Sequence, residues 1–322
     1  MTAGAARTAE GADVAPADPG RAIGIEAARE AVDGALAAFL ETELAGAPPA
    51  IGDPIRHAVL APGKRIRPLL VLAAHHAGAG RAAGAAWEAD PRVALLACSV
   101  ELVHTYSLIH DDLPCMDDDR LRRGRPTVHV AYGVEAAILA GAALMPLAVR
   151  AIDEAGRRLA LGAAVVSRLI GTLAAAAGGG GMVGGQLLDL RAEGRALSRE
   201  ELERIHHGKT ARLLEASCVI GARAAGASEA VVARLARFGR TLGLAFQVVD
   251  DILDVTGSMR EMGKRRGRDA ALGKATMPSV IGLEEARRLG REQGETALAE
   301  LNGLAGAAPL REMARLVVER RR

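Results

Sequence analysis

Lysine is nearly absent. Of the 41 basic residues in this 322-residue chain, only Lys64, Lys209, Lys264 and Lys274 are lysines. Lysine is a compact point charge and arginine a planar fork, so a site shaped for one resists the other, and the four survivors in an arginine-rich sequence mark positions to inspect. Chance survival on a solvated surface is the plain alternative for any one of them. Cysteine is scarce too: Cys98, Cys115 and Cys218 are odd in number, widely spaced and outside any CxxC pattern. That argues against a disulfide framework or structural zinc and points to a reducing cytoplasm. Charge of one sign is also missing, with 41 basic against 39 acidic residues and no like-charged block longer than the three residues of Arg320-Arg321-Arg322; a nucleic-acid-binding scaffold is not expected. The longest apolar run, Ala136 to Val149, is interrupted by Gly141 and Pro146 and falls short of the roughly 20 residues of a membrane helix. No basic segment followed by an apolar core opens the chain, so neither a signal peptide nor integral membrane association is expected.

What is present is helical. Half of the residues are apolar, enough for a substantial core, and Ala, Leu, Arg and Glu recur with three- and four-residue apolar spacing in 27–44, 93–110, 135–151, 158–177, 199–225 and 230–253. No convincing strand is found. Residues 1–20, rich in Ala, Gly, Pro, Asp and Thr, read as a disordered tail. Residues 21–322 read as one large all-α domain with no interior linker or fixed-period repeat. The Gly178–Gly181 run reads as a mobile segment.

Eight of the sixteen aspartates fall in two short clusters. Asp111-Asp112 end an apolar helix that Pro114 stops, followed by Asp117-Asp118-Asp119. Carboxylates there face the negative end of the helix dipole, which makes sense if cations arrive. Mg²⁺, which takes one or two carboxylates plus substrate phosphates, suits DDLPCMD. A calcium EF-hand loop counted from Asp117 fails, having Arg122 where glycine is needed and Val128 where the bidentate glutamate belongs. In the second cluster Asp250 and Asp254 share one helical face, with Asp251 and Asp254 a second near pair, amid Val248, Val249, Ile252 and Leu253. A solvated acidic face would not be so apolar. Against these acids stand bases in Gly63-Lys64-Arg65-Ile66-Arg67-Pro68, Arg120 to Arg125, His206-His207-Gly208-Lys209-Thr210, and Gly263-Lys264-Arg265-Arg266 leading to Lys274. Arg forks and Lys point charges opposite paired acids suggest a diphosphate bridged by metal. No GxxxxGK[ST] or GxGxxG accompanies them, so the ligand need not be a nucleotide.

DDLPCMDDDRLRRGRPT and FQVVDDILD, with GKRIRP, HHGKTARLL and GKATMPS, resemble the trans-isoprenyl diphosphate synthases, the polyprenyl synthetase family, in family order from about Lys64 to Ser279. The resemblance implies a single-domain isoprenoid synthase bundle of mostly antiparallel helices around a deep central cavity, and a homodimer. It implies metal motifs Asp111, Asp112, Asp117 and Asp250, Asp251, Asp254 holding three Mg²⁺ ions. By the same resemblance Arg122, Lys209, Thr210, Gln247 and Lys264 hold the allylic diphosphate with Lys274 nearby, and Lys64, Arg67, His104 and Arg123 bind isopentenyl diphosphate. Taken alone, His104 would read as a satisfied half-buried histidine.

The implied reaction is Mg²⁺-assisted ionisation of the allylic diphosphate, attack by the isopentenyl double bond, and proton loss to the released diphosphate. Tyr106 and Ser107, five and four residues before Asp111, reach the tail-facing region. A bulky aromatic at that position is a floor in the family, so farnesyl diphosphate is the expected product, with geranylgeranyl diphosphate the alternative. Where many relatives read Ala-Gly-Asp-Ala-Leu, this chain has Ala140-Gly141-Ala142-Ala143-Leu144. A terpene cyclase would not need Lys64, Arg67 and Arg123, and a non-catalytic subunit would typically lose one acid motif.

Overall fold

The computed structural model describes residues 19–81, 87, 89–256 and 273–318. Among them the chain forms fourteen α-helices: α1 (Pro19–Glu43), α2 (Pro49–Val59), α3 (Ile66–Gly78), α4 (Pro91–Asp111), α5 (Val128–Tyr132), α6 (Val134–Arg158), α7 (Ala163–Ala177), α8 (Met182–Ala192), α9 (Arg199–His206), α10 (Arg212–Ala224), α11 (Glu229–Thr256), α12 (Met277–Ile281), α13 (Leu283–Glu300) and α14 (Ala308–Val318). A π-helical turn, His207–Ala211, joins α9 to α10. Residues 1–18 of the expected tail lie outside the described residues, and helix begins at Pro19, just ahead of the expected domain start at residue 21.

The all-α expectation holds, with one exception. A two-residue antiparallel hairpin, β1 (Leu121–Arg122) and β2 (Arg125–Pro126), forms where Arg123 and Gly124 both take positive φ. Such a turn demands a left-handed pair, and Gly124 supplies the unstrained half. The stretch 158–177, read as one helix, is broken: Ala160 turns left-handed at φ 53° and the Leu161 N–H returns to the Gly156 carbonyl, closing α6 before α7 starts.

Helix α4 is the spine, packed on α1, α3 and α6, while α10 packs on α3, α7 and α11, and α13 and α14 cover α11. Leu36, Leu70, Leu96, Leu102, Leu144, Ile152 and Phe238 are fully buried between them. Helices α4 and α6 and the segment Ala163–Ala192 are long and apolar enough to cross a membrane by length and composition. This corrects the expectation from run length: Gly141 and Pro146, read as interruptions, lie inside a continuous α6. In α4 most of the apolar stretch is buried in the bundle, whereas α6 and α8 leave Ile138, Leu139, Leu187 and Leu188 exposed.

Candidate active site

Asp90 caps α4, its carboxylate accepting from the Arg92 N–H at 2.8 Å, and the helix ends at Asp111. The chain then folds back, so that the Asp117 N–H donates to the Asp111 carbonyl at 2.9 Å and the Asp118 N–H to that of Leu113. This brings Asp111 and Asp117 together, with Asp118 left-handed at φ 49°. Burial pushes the Asp111 carboxyl up to about 6, opposed by Lys209 and reinforced by Asp117.

Asp112, expected beside Asp111 as a metal ligand, turns into the protein and is 3% exposed. The Arg122 Nε donates to both its oxygens, at 2.8 and 2.9 Å. Burial alone would lower the Arg122 pKa, but the hydrogen bond and charge of Asp112 outweigh it and hold it above the ordinary value. Arg122 and Arg123 flank a small cavity of about 40 Å³ under the hairpin, lined also by Thr105 and Asp112.

The second motif divides in the same way. Asp250 is exposed and Asp254 half-buried. Asp251, 4% exposed, accepts from the Gln247 amide at 3.1 Å and from the Met277 N–H at 2.7 Å. The His206 Nε2 lies 3.4 Å away. Burial brings the His206 pKa down to about 4, so the imidazole is neutral and this contact is no ion pair. Gln247 in turn accepts the Thr210 hydroxyl at 2.8 Å. A buried carboxylate needs such donors to stay charged.

Beside the first motif runs a chain of charges that sequence reasoning caught only in part. Lys209 Nζ donates to Asp189 at 2.6 Å, Lys274 Nζ lies 3.3 Å from the same oxygen, and Lys274 donates to Asp117 at 2.8 Å. Burial opposes the charge on Lys274, but Asp189 and Asp117 more than offset it and push its pKa up to about 12. Asp189 was missed; the available signal was a lone carboxylate in the apolar stretch Met182–Leu190. Lys264 lies outside the described residues.

Glycines hold this network in place. A Cβ on Gly185 would sit 2.1 Å from the Lys209 backbone nitrogen, and at the end of the Gly178–Gly181 run one on Gly181 would sit 2.1 Å from the Ala176 carbonyl oxygen. Bare backbones touch there, which lets α8 carry Asp189 up to the π-helical turn.

One cavity of about 370 Å³ joins much of this. Its polar wall includes Asp111, Lys209, Thr210 and Gln186, with Arg67 and His104 also lining it, and its apolar wall is Met116, Met182, Leu187 and Leu190. Both amide atoms of Gln186 and the Nε of Arg67 are buried with no hydrogen-bond partner. Burial holds the His104 pKa well below its ordinary value, helped by the charges of Arg67 and Arg123. Tyr106 and Ser107 line the same cavity. The Tyr106 ring meets His110 edge-on at 4.8 Å, and the Ser107 hydroxyl donates to the His104 carbonyl at 2.8 Å. Gly141 of α6 leaves room for the His110 ring, which a Cβ would approach to 2.3 Å. Asp117, Asp250, Asp251, Asp254, Gln247, Lys274 and Lys64 lie outside this lining, and Asp112, Arg122 and Arg123 line the small cavity instead; Lys64 is exposed on the loop before α3.

Hard oxygen donors on Asp111 and Asp117, one of them buried at a cost to its charge, fit a divalent cation such as Mg²⁺. Among the described residues no three His, Cys, Asp or Glu side chains form a protein-only cage, so further ligands would come from water and substrate phosphate.

The sequence pattern of the polyprenyl synthetase family matches residues 48–303. The heterodimeric geranylgeranyl pyrophosphate synthase large subunit 1 of Arabidopsis thaliana is 43% identical over 275 residues, 84% of this chain and 72% of that one. Other relatives are named geranylgeranyl pyrophosphate synthase, from Capsicum annuum, and geranylfarnesyl diphosphate synthase, from Leucosceptrum canum. Among solved structures, an apo FPP/GFPP synthase from Zymomonas mobilis superposes with a TM-score of 0.79 at 32% identity, covering 92% of this chain and 99% of that one. A geranyltransferase from Helicobacter pylori, complexed with magnesium and isoprenyl diphosphate, gives a TM-score of 0.75 at 32% identity, covering 95% and 98%.

Proposed function

Because this chain belongs to the polyprenyl synthetase family and is a trans-prenyl diphosphate synthase, we propose that it condenses isopentenyl diphosphate head-to-tail with dimethylallyl or geranyl diphosphate. The observation that carries this reading is the single cavity in which Asp111, Lys209 and Thr210 meet Arg67 and His104 above an apolar wall. Asp111, Asp117, Asp250 and Asp254 would hold Mg²⁺, three ions in all, while Asp112 and Asp251 keep the two motifs in register through Arg122 and the Met277 N–H. When bound, Mg²⁺ supplies charge neutralisation to the departing diphosphate.

The chain's own groups orient the substrates. Lys209, Thr210 and Lys274, with Arg122, Gln247 and Lys264, clasp the allylic diphosphate; Lys64, Arg67, His104 and Arg123 bind the isopentenyl diphosphate. The allylic C–O bond breaks, the isopentenyl double bond forms the new C–C bond, and the proton lost from isopentenyl C2 goes to the released diphosphate. Met116, Met182, Leu187 and Leu190 exclude the water that would otherwise end the reaction as an alcohol.

Geranylgeranyl diphosphate is the product that the relatives' names support. Farnesyl diphosphate is the second reading, favoured by one observation: the half-buried Tyr106 ring stands in the cavity wall. A homodimer is proposed as well, supported by the apolar side chains left exposed on α6 and α8. A cytoplasmic setting is supported by three free cysteines. Incubation with Mg²⁺, labelled isopentenyl diphosphate and each allylic starter, followed by chromatography of the dephosphorylated prenols, tests the reading.

A further inference from the structure

Glu101 sits ten residues before Asp111 on α4, with its side chain 2% exposed. A carboxylate so deeply buried is costly unless paired. It accepts from the Arg65 Nη1 at 2.6 Å, and that guanidinium is equally buried. Arg65 is further engaged: its Nε donates to Asp33 at 2.7 Å and its Nη2 to the Val59 and Ala61 carbonyls, each at 3.0 Å. Four of its five N–H donors are thus spent within the protein, and the guanidinium is buried away from a substrate. Its backbone is left-handed, φ 49°, directly between Lys64 and the start of α3. The side-chain network thus holds a strained residue in the GKRIRP loop.

Glu101 has a second neighbour. Arg123 Nη2 lies 3.8 Å from the same oxygen, and its Nη1 donates to the Ala61 carbonyl at 3.3 Å. The Arg123 guanidinium lies against the bare backbone of Gly63, where a Cβ would come within 2.8 Å. Arg67 feels the same group: burial lowers its pKa, the charge of Glu101 supports its own and that of Arg123 opposes it. Two guanidiniums thus meet one buried carboxylate whose charge also steadies a third, with Asp33 touching Arg65 alone among them.

We propose that Glu101 is a positioning residue for isopentenyl diphosphate, locking Arg65 to shape the GKRIRP loop and parking Arg123 beside it so that Arg123 and Arg67 present their charge to the diphosphate. The inference rests on the isopentenyl diphosphate subsite proposed above. Glu101 touches no reacting atom; without its charge the like-charged guanidiniums repel and Arg123 leaves the loop.

The test is steady-state kinetics on Glu101→Gln, varying each substrate against saturating levels of the other, with Glu101→Asp, Arg67→Ala, Arg123→Ala and the Glu101→Gln/Arg123→Ala double variant alongside. Glu101→Gln should raise KM for isopentenyl diphosphate about tenfold or more, the scale of a lost charge-assisted hydrogen bond. KM for the allylic substrate should stay within about twofold. Glu101→Asp, which keeps the charge, should recover part of the loss. In the Arg123→Ala background Glu101→Gln should add little, because the two act as one unit.

Equal rises in both KM values with a lowered melting temperature would reduce Glu101 to a packing element and overturn the proposal. So would a lower KM for isopentenyl diphosphate, which would make Glu101 a competitor of the substrate, or full additivity with Arg123→Ala. If Glu101→Gln does not fold, an unchanged KM in folded Glu101→Asp overturns it. Arg67→Ala separates the two levels: if it raises that KM while Glu101→Gln does not, only the positioning role fails, and if it leaves that KM unchanged, the subsite fails and the proposal with it.

Discussion

Asp189 and Lys209 meet at 2.6 Å although they lie on different elements, because Gly185 of α8 and Gly208 of the π-helical turn press backbone against backbone beneath them. The same Asp189 oxygen lies 3.3 Å from Lys274 Nζ, whose other partner is Asp117. One carboxylate thus holds two lysines that would clasp a diphosphate and links them to the first acid motif.

Asp189→Asn should therefore raise KM for the allylic diphosphate by roughly tenfold while leaving that for isopentenyl diphosphate nearly unchanged, since the charge that holds both lysines is lost on one side of the cavity. Initial-rate kinetics with each substrate varied in turn reads this. Equal changes in both values would contradict the link.

Gly185→Ala places a Cβ 2.1 Å from the Lys209 nitrogen, and neither backbone can yield without moving the turn. A loss of several degrees in melting temperature is expected, on the order of 1–3 kcal/mol for overpacking, together with a rise in allylic KM. Differential scanning fluorimetry and the same kinetics check it; a variant with unchanged stability would mean that α8 is free to shift.

How far these features could be read from the sequence depends on how local their cause is. The end of α4 at Asp111 and the singling out of Lys209 and Lys274, which pair with Asp189 and Asp117, were legible, because Pro114 stops a helix locally and lysine is rare throughout. Helices α2, α3, α5, α8 and α12 to α14 were not read; α2 begins at Pro49, and although proline is well suited to a first helical turn, Pro48 and Pro49 break the apolar spacing that marked the other helices. The close approach of Gly185 to Lys209 was illegible, since a glycine row looks the same whether it moves or packs. Arg65 and Glu101 are 36 residues apart, and nothing local announces their pairing. The inward turn of Asp112 and Asp251 is likewise set by partners at Arg122 and Met277, so identical letters in one motif take different jobs.

Asp111→Ala and Asp250→Ala should each cut condensation by several orders of magnitude with the helical circular dichroism signal intact, because each removes an oxygen that would hold Mg²⁺ rather than a packing contact. Asp251→Ala differs. It strands the Met277 N–H and the Gln247 amide in the interior, and should lower the melting temperature as well as the rate. A folded, fully stable Asp251→Ala protein would contradict the structural role drawn for that carboxylate.

Tyr106→Ala should lengthen the prenol products, because it removes a ring from the wall of the cavity that would take the growing chain. Chromatography of dephosphorylated products compares variant and parent. An unchanged distribution would mean that the chain grows elsewhere.

The most direct measurement is the condensation itself: purified full-length protein with Mg²⁺, labelled isopentenyl diphosphate and geranyl diphosphate, read by product chromatography with and without chelator. The account predicts labelled prenyl diphosphates of fifteen to twenty carbons, geranylgeranyl being the favoured end product, and their disappearance when the metal is removed. Label that stays in isopentenyl diphosphate with every allylic starter, or that enters only cyclic hydrocarbons, would contradict it.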